Sequence, residues 1–178
     1  MSTVLVTSYY NVQDLASGGK RRVRELMRAC GAEGFLMQPR PPMEDLGNLS
    51  FPRDLGRKKR GINWGIFNLY WPANRRAVRR AVDRLSPDLC IGTSIWCCDA
   101  FAGRSGPRAL DAQNVDALAI EERFGAGHPF TRLVRRQEAR IVRSVDRVFC
   151  CSEVDADQFR ARYGIPDETL AVVPNGVR

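Results

Sequence analysis

Short apolar runs alternate with helical patterns through most of this chain, and that alternation limits its fold more than any single motif. The stretches 3–9 (TVLVTSY), 34–39 (GFLMQP), 88–92 (DLCIG), 107–115 (PRALDAQNV), 146–152 (DRVFCCS) and 169–174 (TLAVVP) read as strands. Val23, Leu26, Met27 and Cys30 fall at i, i+3, i+4 and i+7 of a helix running from about Gly19, with Ser17 as its N-cap and Gly31 as its stop. A helix over about 73–85 turns Ala77, Val78, Ala81, Val82 and Leu85 inward. Further helical patterns cover SIWCCDAFA, DALAIEERF, FTRLVRRQEARIVRSV and EVDADQFRARYG. Parallel strands joined through helices need right-handed crossovers, which build a sheet covered on both faces. The expected fold class is therefore α/β: a single Rossmann-like domain over 1–178, with a parallel sheet between helices. Residues 40–71 lack periodicity and are rich in Pro, Gly and basic side chains, too long a stretch for a plain connection.

The charge balance bounds the partners. The chain carries 28 Lys and Arg against 20 Asp and Glu, a net +8, and lysine occurs only at Lys20, Lys58 and Lys59. Such a field favours phosphates, nucleic acid or an acidic membrane surface. No apolar run reaches the roughly 18–20 residues that span a bilayer. The first ten residues lack the basic and apolar regions of a signal peptide. The six cysteines sit within apolar or helical patterns, as buried thiols do in a reducing compartment, so a cytoplasmic setting is expected. Within 57–71, Arg57, Lys58, Lys59 and Arg60 are followed by Trp64, Phe67, Tyr70 and Trp71. Basic charge beside Trp and Tyr suits an anionic lipid surface, hence a peripheral membrane contact. It also suits single-stranded nucleic acid, the less favoured partner.

In a parallel α/β sheet, ligands bind beyond the carboxyl ends of the strands. Gly18 and Gly19 lie where the first strand feeds the first helix, and glycines there let a ligand reach backbone N–H groups, with Lys20, Arg21 and Arg22 adding charge. Neither GxGxxG nor GxxxxGK[ST] is present, which argues against a nicotinamide-dependent dehydrogenase and a P-loop. Asp111, Gln113, Asn114 and Asp116 cluster past the fourth strand. Asn114 or Asp116 is expected to cap the next helix, while Gln113 and Asn114 are placed to hydrogen-bond a sugar or phosphate. Ser152 reads as an N-cap and a cleft-lining hydroxyl, with Glu153 and Asp155 in the first turn of its helix. The pairs Cys97-Cys98 and Cys150-Cys151 lack CxxC spacing, so no metal is expected. His128, the only histidine, reads as a surface loop residue.

Taken in order, four places resemble the N-terminal domain of a GT-B glycosyltransferase, of the retaining type in glycosyltransferase family 4. They are Gly18-Gly19 opening a helix, PDLCIG after a basic helix, LDAQNVD after its strand, and DRVFCCSEVDADQFRARYGI leading to LAVVPNGVR. The resemblance spans essentially the whole chain. It implies an enzyme of two Rossmann-like domains that transfers a sugar, of hexosyl type, from a nucleotide-sugar to an acceptor. Gly18 and Gly19 would approach the donor's phosphates and sugar, and Asn175 and Gly176 would line the interdomain junction. The family's C-terminal, nucleotide-binding domain is absent from these residues, so the chain alone is expected to be inactive. Relatives often carry histidine where this chain has Gln113, and glutamine cannot take a proton near neutral pH. No cofactor is implied, and the acceptor is expected to be lipid-linked or otherwise anionic. The alternative is a non-catalytic basic module that binds anionic lipid or nucleic acid.

Overall fold

A computed structural model of the chain describes residues 3–8, 18–31, 33–36, 72–101 and 103–175. The expected strand-helix alternation is what the chain adopts. β1 (Val4–Ser8) leads to α1 (Gly18–Cys30) and β2 (Glu33–Leu36), then α2 (Pro72–Leu85) and β3 (Leu89–Gly92). A short α3 (Ile95–Cys98) runs into a 3-10 turn (Asp99–Phe101), then β4 (Arg108–Ala112), α4 (Asp116–Phe124) and α5 (Pro129–Val142). β5 (Arg147–Cys150), α6 (Glu153–Tyr163), a second 3-10 turn (Asp167–Thr169) and β6 (Leu170–Val172) complete it.

The strands form one six-stranded sheet in the order β2-β1-β3-β4-β5-β6, every neighbouring pair parallel. The central strands β1, β3 and β4 are therefore buried along most of their length, and they read as apolar runs rather than alternating ones. The larger core, with Leu5, Leu110, Val148 and Cys150, meets Val78 and Val82 of α2, Val134 and Ile141 of α5, and Phe159 of α6. The smaller core, Val6, Ile91 and Ala109, packs beneath Val23 of α1. Gly92 is required by the close approach of α3: a Cβ there would fall on Cys98 Sγ and lie 2.6 Å from Cys98 N.

Several sequence expectations change here. Neither Asn114 nor Asp116 caps α4. Val115 is the cap residue, without a side-chain bond, and Asp116 is already helical. The capping group comes from another helix: Glu138 of α5, fully buried, accepts from the N–H of Asp116 at 2.7 Å and of Ala117 at 3.1 Å. Tyr163 of α6 donates to the same carboxylate at 2.5 Å. No local pattern encodes a cap drawn from 22 residues away. His128 is more than a loop residue, since its Nδ1 accepts from Phe130 N–H at the start of α5 and its ring stacks on Phe124. The second strand ends at Leu36, and the expected residues 37–39 lie outside the described part, as do Ser17, Arg57, Lys58, Lys59, Arg60 and Gly176.

Candidate functional site

Because all strands run the same way, their carboxyl ends share one edge of the sheet. The chain steps from β1 outward to β2, then back past β1 to β3, so the crevice where ligands sit in such sheets opens between β1 and β3. The residues at this point are polar and buried: Thr7 and Ser8 at the end of β1, Thr93 and Ser94 after β3. The Thr7 hydroxyl lies 3.4 Å from Cys97 O and 3.5 Å from Ile91 O, and Ser94 caps α3 through Cys97 N–H. Thr93 Oγ1 is buried and has no hydrogen-bond partner among the described residues. On the neighbouring strand end, Gln113 Nε2 is in the same position.

Gly18, Gly19 and Lys20 form the opening turn of α1 at this edge. Nothing described lies within 4 Å of where a Gly18 Cβ would stand, so the backbone there is open to a ligand. Asn114 is exposed beside Gln113. Ser152 does cap α6, accepting from Asp155 N–H at 3.1 Å and donating to Asp155 Oδ2 at 2.7 Å, which occupies the hydroxyl in local structure.

At the centre of the edge two residues that the sequence places in separate loops, Arg22 and Asp111, come together as a pair. Arg22 of α1 meets Asp111 of β4 through three bonds of 2.6, 2.9 and 3.1 Å, with side chains 8% and 2% exposed. Its remaining nitrogen donates to Val173 O at 2.6 Å and to Asn175 Oδ1 at 3.2 Å. Burial works against the guanidinium charge, but the Asp111 carboxylate outweighs it and holds the Arg22 pKa above its ordinary value. One arginine thus fastens the glycine-led helix, the end of β4 and the segment leaving β6. The only sequence signal for this was an arginine early in α1 and an aspartate near the end of an apolar strand. Asn175 Oδ1 also lies 3.8 Å from Cys151 Sγ.

Beside this clamp a cavity of about 670 Å³ runs under α1, lined by Gly18, Arg21, Arg22, Asp111, Phe149 and Asn175 among others. Its size is that of a small-molecule site. The cysteines nearby are protonated at neutral pH: burial pushes the Cys150 thiol up to about 12 and raises Cys151 and Cys98 as well. Among the described residues, no group of His, Cys, Asp or Glu is arranged to hold a metal ion. No described helix is long and apolar enough to cross a membrane.

Residues 16–178 match the family model described as Glycosyltransferase Family 4. Among solved structures, the chain is similar to the Anabaena protein Alr3699/HepE, whose crystal structure is in complex with UDP. The identity is 14% and the TM-score 0.52, over 99% of this chain and 44% of that one. The likeness is thus one of fold, and the chain spans less than half the length of that protein. No curated protein matches the sequence.

Proposed function

The chain belongs to glycosyltransferase family 4, and on that premise we propose that it is the acceptor-side half of a retaining hexosyltransferase. In this reading a nucleotide-sugar donor and a sugar acceptor meet at the carboxyl edge of the sheet. A second domain, joined beyond Asn175 and Gly176, supplies most of the donor contacts, so the chain by itself turns over nothing.

The observation that carries the reading is a pair of buried polar groups at neighbouring strand ends, Thr93 Oγ1 and Gln113 Nε2, that have no partner among the described residues. A buried polar group left unpaired costs about 1–3 kcal/mol, which a hydroxyl-rich ligand would relieve. Gln113 would orient the sugar by hydrogen bonding, since an amide does not exchange protons near neutral pH. The open backbone at Gly18, with Gly19 next along α1, would face the donor's diphosphate, whose developing charge gains from N–H donors at a helix start. Lys20 and Asn114 would flank that ligand, and no residue is assigned to a metal. Arg57, Lys58, Lys59 and Arg60, read from sequence alone, support a lipid-linked or otherwise anionic acceptor and a place at the cytoplasmic face of a membrane.

The test is saturation-transfer NMR with methyl hexosides and with UDP- and GDP-hexoses, paired with a transfer assay. The reading expects saturation of hexoside protons, weak nucleotide-sugar signals and no transfer by the 178-residue chain alone. Sugar transfer by the chain alone, or no hexoside saturation, would contradict it.

A further inference from the structure

The sheet face opposite α1 carries a charge excess that the fold does not use. On α2, Val78, Ala81 and Val82 face the core, so Arg76, Arg80 and Arg84 follow one another at i, i+4 and i+8 along the outward face, with Arg79 beside them, all exposed. On α5, Val134, Glu138 and Ile141 face the core and Arg136 stands outward among Arg132, Arg140 and Arg143. The two helices belong to one layer. The Asp99–Phe101 turn packs against α2, and Asp99 of that turn is bound by Gln137 and Arg140 of α5. Arg76, Arg79, Arg80, Arg84 and Arg136 have no ion pair or side-chain hydrogen bond among the described residues. The one aspartate on the outward side of α2, Asp83, is already taken by Arg104. Like charges at i, i+4 on a helix repel, so this row opposes the helix that carries it and gains nothing from the rest of the fold.

We propose that the outward face of α2 and α5 is a docking surface for an anionic lipid bilayer. The charge is spread over two helices of one layer, joined through the Asp99–Phe101 turn, rather than converging on a pocket, which suits a laterally extended sheet of phosphates better than a single anion. Leu133, 48% exposed, stands on the Arg140 side of α5 and would enter the headgroup layer between the arginines. Single-stranded nucleic acid calls for aromatic platforms, and the exposed large hydrophobic residues of the described chain are Leu133, Val154 and Val173, none of them aromatic. The proposal does not rest on the transferase reading. It concerns a face away from the carboxyl edge and requires no sugar chemistry.

The test is sedimentation of the full chain with phosphatidylcholine vesicles, with and without phosphatidylglycerol, at rising salt. Binding is expected only to the anionic vesicles and should fall with salt. Arg80→Gln with Arg136→Gln should weaken it about twenty-five-fold, at about fivefold for each arginine near an anionic surface. Arg28→Gln with Arg147→Gln removes the same charge from α1 and from the amino end of β5, and should leave binding within about twofold, the folded state of each variant being checked by circular dichroism. An equal loss in both double variants would reduce the effect to net charge and overturn the surface. So would equal binding to neutral vesicles, or tighter binding to a single-stranded oligonucleotide than to anionic vesicles.

Discussion

The side chains that decide the candidate site are two that look unremarkable in the sequence. Arg22 and Asp111 lie 89 residues apart, and nothing in either local pattern announces that they meet. What was legible was position along the edge: Gln113, Asn114 and Asn175 do stand past strand ends, and Gly18 does open α1. What was not legible was the contact that ties them, because it depends on how far α1 lies over β4. The pair is nearly dry, so removing one partner leaves a buried charge alone, at a cost of about 3–5 kcal/mol. Arg22→Ala and Asp111→Ala should each lower stability by that order in urea unfolding, and the double variant should fall well short of their sum. Strict additivity would mean that the two side chains do not act together. By contrast Arg28 and Glu25, 70% and 56% exposed, form a pair expected to contribute about 0–1 kcal/mol.

Among the elements, α4 is the one whose placement controls the Gln113–Asn114 loop, and it is anchored from outside. Glu138 of α5 holds its first N–H groups, Tyr163 of α6 holds Glu138, and Arg162 and Arg135 both hold Glu121 of α4. Helix periodicity was readable because it records which face is buried. The cap was misassigned because a tertiary carboxylate took the place of a local side chain. Burial, together with the neighbouring Glu138 charge, pushes the Asp116 carboxyl up to about 7 from an ordinary 3.8. Between those values the folded chain keeps a proton that the unfolded chain has released. The group therefore stabilises the fold progressively less as pH rises from about 4 to about 7, and its cost is fully present above that. The raised Glu138 carboxyl, driven by burial, acts with the same sign. The thermal midpoint should fall between about pH 5 and about pH 7.5, and Asp116→Asn should flatten most of that slope and raise the midpoint at the upper end. An Asp116→Asn variant with an unchanged slope would place the proton elsewhere.

For the whole molecule, the strand-helix alternation settles the architecture, since parallel strands leave few topologies once crossovers must be right-handed. The order β2-β1-β3-β4-β5-β6 then puts six strand ends and the start of α1 along one edge, while the basic face of α2 and α5 lies on a different surface. The central claim is that this edge binds sugar and diphosphate groups. Amide chemical-shift mapping with a methyl hexoside and with UDP tests it most directly. The account predicts perturbed amides at Gly18–Arg22, Thr93–Ser94, Gln113–Asn114, Val173 and Asn175. Shifts confined to the opposite edge, at Arg108, Asp146 and Arg147, or no shifts with either ligand, would contradict it.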